Sequence, residues 1–338
     1  ETLFNRIQIV YYKEMVCECD QKEREDGREQ KMSVGVIFQE MIVIFLLIFV
    51  GYLLFHGKMI SEQSSADLST MVVKVCSPAL ILVSALEGCH NLKNDQVFWG
   101  FILAGGLYLV LILCGLLLPF ILKVHGVEAR QYRMMTIFGN TGFIGIPVAL
   151  AVFGTDAMVY VTIFNIYFNL LVYTYGIYQV NQCGAKRQQP VCAKMFLNPG
   201  NIANLAAIAI FIFKPQIPEI GEEFINYVGN ATVFLSMVIV GGFLARAPLR
   251  EIFSEKRIYL FVLLRQILLP VILTLILKMW IKNPIMLGTC MLMVAMPVGN
   301  MALILAEQVG ADGRILSKGI IVTTLGAIVT IPLVALCM

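Results

Sequence analysis

The sequence predicts an all-α membrane protein of ten transmembrane helices, arranged as two inverted five-helix repeats whose fourth and ninth helices are interrupted. Three observations predict it. Of 338 residues, 59% are hydrophobic and 14% charged, with a mean hydropathy of +0.81, values that suit a chain solvated by lipid rather than a water-soluble domain. The apolar residues gather into ten runs of helical length, without the strict alternation of a membrane-barrel strand. The runs also repeat, because the centres of the first five and the last five match at a spacing of about 155–160 residues.

Residues 1–31 precede the first run. From Cys17 to Lys31 they are dense in mixed charge, and they lack the apolar core and small-residue cleavage site of a signal peptide. They are expected to be a dispensable polar tail, with Met32 as the natural start. The first repeat, 32–178, holds apolar runs at 36–55, 71–86, 97–122, 134–153 and 157–178. A loop at 179–199 leads to the second repeat, 200–338, with runs at 200–213, 230–245, 258–281, 285–309 and 315–337. The sixth and seventh runs are short of the roughly 20 residues that cross a ~30 Å hydrocarbon layer. Their helices are therefore expected to extend into polar flanks such as Asn226 to Asn230. Pro78 and Pro270 read as helix kinks.

The fourth run contains Phe138-Gly139-Asn140-Thr141-Gly142-Phe143-Ile144-Gly145-Ile146-Pro147, and the ninth contains Ala295-Met296-Pro297-Val298-Gly299-Asn300. Both runs end alike, in Gly154-Thr155-Asp156 and Gly310-Ala311-Asp312. An odd number of spans per repeat turns the second copy upside down. Lipid leaves no partner for bare backbone groups, so such interruptions survive only where protein or a water-filled cavity covers them. Paired breaks in two halves point to a carrier's binding site. A half-helix opening at Pro147, and another at Pro297, would each present free N–H groups and about half a positive charge. Together they suit one carboxylate. Asn140, Thr141 and Asn300 supply further donors and acceptors, with Gly142 in the same stretch. Asn165 and Asn169 share one face of the fifth run; they either line the path or bond the neighbouring broken backbone.

Other chemistry is sparse. Lys74, Arg265 and Glu307 fall near cytoplasmic helix ends and are expected to snorkel to water. No carboxylate sits in mid-run, which argues against a cation exchanger, and His56, His90 and His125 all lie in loops. No H-E-x-x-H, G-x-S-x-G or Walker pattern occurs, so an enzyme is not expected. Nine scattered cysteines read as reduced thiols, with no metal site or cofactor. A net charge of +3 without a basic aromatic patch gives no case for nucleic acid.

Several of these stretches resemble the auxin efflux carrier family. They are Leu68-Ser69, Ser77-Pro78-Ala79-Leu80-Ile81-Leu82, the glycine-rich 139–147 stretch, Phe164-Asn165-Ile166-Tyr167-Phe168-Asn169, Asn198-Pro199-Gly200, and Met296-Pro297-Val298-Gly299-Asn300 with Ala306-Glu307. The resemblance covers about 36–338 and is nearest the compact bacterial permeases. One departure is Thr232-Val233, where many bacterial members carry a proline. The resemblance implies a fold akin to bile-acid symporters and sodium/proton antiporters, with segments 4 and 9 broken and crossing at mid-membrane. It further implies transport of small organic acids across the plasma membrane by an elevator, with segments 1, 2, 6 and 7 as scaffold and 3–5 and 8–10 moving, in a homodimer. The direction of flux and a coupling proton or sodium ion stay open. The alternatives are a coupled uptake symporter of the same fold, or a membrane receptor or channel.

Lysine and arginine set the expected orientation. With both ends of the ten-span core outside, cytoplasmic loops hold thirteen and outside loops four. Single cysteines at Gln188 and Arg250 should then be shielded from an impermeant thiol reagent in intact cells, while one at Glu222 is labelled. Labelling at Gln188 from outside would reverse the topology.

Overall fold

The computed structural model describes residues 34–88, 94–183, 190, 197–245 and 255–337. The 1–31 tail and the loop residues Lys186, Arg187, Lys194, Arg246 and Arg250 lie outside the described residues, as does the side chain of Glu307.

Each of the ten apolar runs is helical. In chain order they are α1 (Val34–His56), α2 (62–88), α3 (Asn94–Ile121), α4a (Gly126–Ile137) and α4b (Thr141–Phe153), and α5 (Thr155–Asn181). There follow α6 (Pro199–Phe213), α7 (Glu219–Ala245), α8 (Lys256–Leu277), α9a (Pro284–Ala295) and α9b (Met301–Gln308), and α10 (Arg314–Ala335). Six of them, in α2, α3, α5, α7, α8 and α10, are long and apolar enough to cross a membrane, and four shorter apolar helices accompany them. The seventh run gains its length from its polar flank, as the sequence predicts, since α7 begins at Glu219, but the sixth does not, since α6 stays at 15 residues, capped by Asn198 at one end and closed at Lys214 at the other.

Local chemistry fixes several starts. Asn198 and Asn283 each precede a proline at the first helical position, and their side chains accept from the amides of Asn201 and Met286. Three prolines inside the spans are handled differently, whereas Pro119 and Pro332 lie within ordinary α-helix. Wide π turns at Val72–Cys76, Thr141–Gly145 and Leu263–Leu268 end two residues before Pro78, Pro147 and Pro270. Proline has no N–H and its ring crowds the carbonyl one turn back, so a wider turn removes the clash without ending the helix.

Burial sorts the helices into inner and outer ones. In α9a every residue from Met286 to Ala295 is buried, and the start of α4b is likewise covered at Ile144 to Ala149. On α3, by contrast, Phe98, Ile102, Leu109, Leu113, Leu117 and Phe120 stay exposed, the apolar face expected toward lipid. The two interrupted segments lie antiparallel. Gln131 midway along α4a donates to the Asp312 carbonyl past α9b, and the Phe153 ring at the end of α4b packs over Gly288 in α9a. Gly154 and Gly310, which close the two segments, have φ of +69° and +68°, a backbone region open to glycine.

Between those ends the backbones touch. A Cβ on Gly299 would stand 2.8 Å from the Gly139 carbonyl oxygen, whereas one on Gly142 would meet nothing within 4 Å. Gly299→Ala should therefore cost about 1–3 kcal/mol of stability, read as a lower thermal unfolding midpoint, with Gly142→Ala as the matched control that leaves the midpoint near its original value. Equal midpoints for the two variants would mean the backbones are not in contact there.

Candidate functional site

Helical hydrogen bonding lapses at Phe138–Asn140 and again at Met296–Asn300. Each lapse strips backbone groups of their intrahelical partners, and the two stretches supply partners to one another. Gly139 and Val298 form an antiparallel bridged pair. The Asn140 amide donates to the Pro297 carbonyl at 2.6 Å, and the Gly299 amide donates to the Phe138 carbonyl at 2.9 Å. Side chains complete the accounting. The Val298 amide donates to Thr323 Oγ1 at 3.0 Å, and that hydroxyl donates to the Gly319 carbonyl at 2.7 Å within α10.

Helix resumes after each break at an asparagine rather than at a proline. Asn140 sits just before Thr141, and its Oδ1 accepts from the Phe143 amide at 3.1 Å. It is an N-cap, satisfying one of the orphan donors of the new helix end. Asn300 stands in the same relation to α9b, and its carbonyl accepts from the Ile304 amide at 3.0 Å. The expected start at Pro147 is corrected accordingly. Pro147 lies six residues inside the resumed segment, where it accompanies the π turn, and Pro297 lies in the extended stretch four residues before Met301.

The predicted site residues divide by what their side chains already do. Thr141 Oγ1 donates to Asn165 Oδ1 at 2.8 Å, and Asn165 Nδ2 donates to the Val161 carbonyl at 3.0 Å. Asn165 thus braces the break, and both residues are buried. Asn140 is buried too, with its oxygen used by the cap. Asn300 and Asn169 are half-buried, and among the described residues neither side chain has a hydrogen-bond partner. Gly142 is half-buried with open space beside it. The breaks bring Asn140, Thr141, Gly142, Asn165, Pro297 and Asn300 together. No hydrogen bond ties Asn169 or Pro147 into that group.

Arg265 departs most from expectation. It lies nine residues beyond Lys256, ~14 Å along α8 at 1.5 Å per residue, and it is 0% exposed. Snorkelling is excluded at that depth and burial. Its Nε donates to the Thr136 carbonyl at 3.3 Å, and its Nη1 donates to the Met296 carbonyl. Among the described residues its Nη2 has no hydrogen-bond partner, and it lies against Gly139, where a Cβ would approach it to 3.1 Å. Beside it, Gln266 Nε2 donates to the Thr323 carbonyl at 3.0 Å. Lys74 is exposed, as a snorkelling residue would be. The sequence signal for this cluster was the adjacent Arg265-Gln266 pair in an otherwise apolar run, since an intramembrane ionisable residue is a functional candidate by default.

The membrane transport protein family matches residues 36–335. A protein of Rhizobium meliloti (strain 1021) named "Putative malonate transporter" is 26% identical over 304 residues, covering 86% of this chain and 92% of its own. An uncharacterized transporter of Methanocaldococcus jannaschii is 24% identical over 213 residues, covering 60% of this chain and 67% of its own. Another, from Methanothermobacter thermautotrophicus, is 21% identical over 305 residues, covering 87% and 96%.

Proposed function

The chain belongs to the membrane transport protein family and is an integral multi-pass membrane protein; from that premise we propose that it is a secondary carrier of small organic anions in the plasma membrane. The observation that carries the proposal is the pair of joined helix breaks, with helix N-termini opening at Asn140 and Asn300. Each N-terminus carries about half a positive charge, a natural seat for a carboxylate, although at α4b the Thr141 and Phe143 amides are already bonded to the Gly139 carbonyl and to Asn140 Oδ1. The half-buried Asn300 side chain and the open flank of Gly142 give that carboxylate a side of approach. Malonate, named for one relative, is a dicarboxylate of the proposed class.

In this reading all ten helices span, as two inverted repeats. Support comes from the antiparallel run of α4 and α9, and from the like-placed Gly154 and Gly310 that close them. Alternating access is elevator-like. The scaffold would be α1, α2, α6 and α7, in keeping with the packing of α2 along α6 and α7 and with the close approach of Gly51 in α1 to Val238 in α7. The moving body would hold both breaks, so the site travels with its bound anion.

The test is titration of malonate against purified protein. Asn300→Ala should remove a charge-assisted hydrogen bond, worth about 1.5–3 kcal/mol, and weaken affinity about ten- to a hundredfold with little change in thermal stability. Asn140→Ala should lower stability as well, by roughly 0.5–2 kcal/mol, because it removes a cap. Unchanged malonate affinity in the folded Asn300→Ala variant would move the site away from the breaks.

A further inference from the structure

The two carbonyls that Arg265 bonds come from matching places. Thr136 lies in the last turn of α4a, and Met296 directly follows the end of α9a. Each of those helices ends at its break with carbonyls pointing out of the helix and about half a negative charge. In carriers built from interrupted helices, such half-helix C-termini and unwound carbonyls are where a coupling sodium ion is coordinated. Here a guanidinium reaches both from a third helix. It is fully buried, has no carboxylate partner among the described residues, and fits because position 139 has no side chain.

We propose that Arg265 is the carrier's resident counter-cation, holding the two half-helix C-termini so that one carboxylate binds at the breaks without a sodium ion. The charges support it. Two C-terminal ends contribute about −1, two N-terminal ends about +1, and the guanidinium +1. The empty site therefore carries a net charge of about +1, and one carboxylate neutralises it, while the second carboxylate of a dicarboxylate such as malonate keeps its charge toward water. Without Arg265 the ends cancel, and an anion would need to bring a cation with it. A buried cation is costly in a low-dielectric interior unless paired and hydrogen-bonded. Two carbonyls offset only part of that cost, and the unpartnered Nη2 leaves Arg265 poised to gain from an anion nearby. The part of this inference that concerns the carboxylate rests on the carrier reading above.

The experiment compares purified wild type, Arg265→Met and Arg265→Lys in sodium chloride and in choline chloride at equal ionic strength, with malonate as the probe. Wild type should bind malonate equally in both salts, and its melting temperature should not respond to sodium. Arg265→Met, of similar length but uncharged, should lose affinity in choline by about tenfold or more, and sodium should restore part of the binding and raise its melting temperature. Arg265→Lys retains the charge, so it should stay sodium-independent, and it serves alone if Arg265→Met does not fold. Sodium-dependent binding by wild type or by Arg265→Lys, or undiminished binding by Arg265→Met in choline, overturns the proposal. If wild type binds no malonate in either salt, the carboxylate reading falls. The counter-cation role is then judged by melting alone: sodium must raise the midpoint of Arg265→Met and leave that of wild type unchanged, and any other result overturns it.

Discussion

Two hydrogen bonds between the chain's interrupted segments, from Asn140 N–H to the Pro297 carbonyl and from Gly299 N–H to the Phe138 carbonyl, set the terms for the rest of the fold. A helix that breaks away from water leaves amides and carbonyls bare, at a cost of several kcal/mol each. One break alone would have to find side-chain partners for all of them. Two breaks placed side by side satisfy each other much as neighbouring strands do. That requires the segments to run antiparallel and their backbones to approach closely, which the absence of a side chain at Gly299 permits, while Gly139 leaves room for the Arg265 guanidinium. Thr323 from α10 and Arg265 from α8 then supply what the pair cannot.

The same economy explains why the polar residues around the breaks are not all free to meet a ligand. Asn140 caps α4b, Thr141 and Asn165 hold one another, and Thr323 is shared between the Val298 amide and its own helix. What remains open is small: the Asn300 side chain, the flank of Gly142 and the helix N-termini themselves. Side chains that are tied down keep those N-termini fixed, so an anion of the proposed class would meet dipoles already in place. Arg265 belongs to the bracing group by its bonds and to the electrostatics by its charge.

Much of this was legible in the residues. Long apolar runs mark helices wherever they occur, and glycine with asparagine inside such a run marks the places where helix must lapse. Gly139-Asn140 and Gly299-Asn300 therefore stood out, and the structure joins them. The point at which helix resumes was harder to read. Proline at a first helical turn is a sound signal, yet a π turn lets Pro147 sit well inside a continuing helix, and the choice between turn widths is made by backbone bonds that leave no mark in sequence. The role of Arg265 was hidden for another reason. In a run that is apolar all round, nothing distinguishes the lipid-facing side from the inward one, so its distance from the nearest loop said little about its surroundings. Which asparagines were spent and which were open likewise depends on partners from other helices, Thr141 for Asn165 among them.

An anion held at the joined breaks, as proposed, would sit beside Gly142. A Cβ there meets no atom within 4 Å, so Gly142→Cys is accommodated beside the helix end without displacing it. The measurement is the rate at which a small hydrophilic thiol reagent modifies that cysteine in purified protein as malonate is added. Occupancy of the breaks predicts a saturable fall in rate, with half-protection at the malonate concentration that half-saturates binding. A rate that does not change across saturating malonate would place the anion away from the breaks.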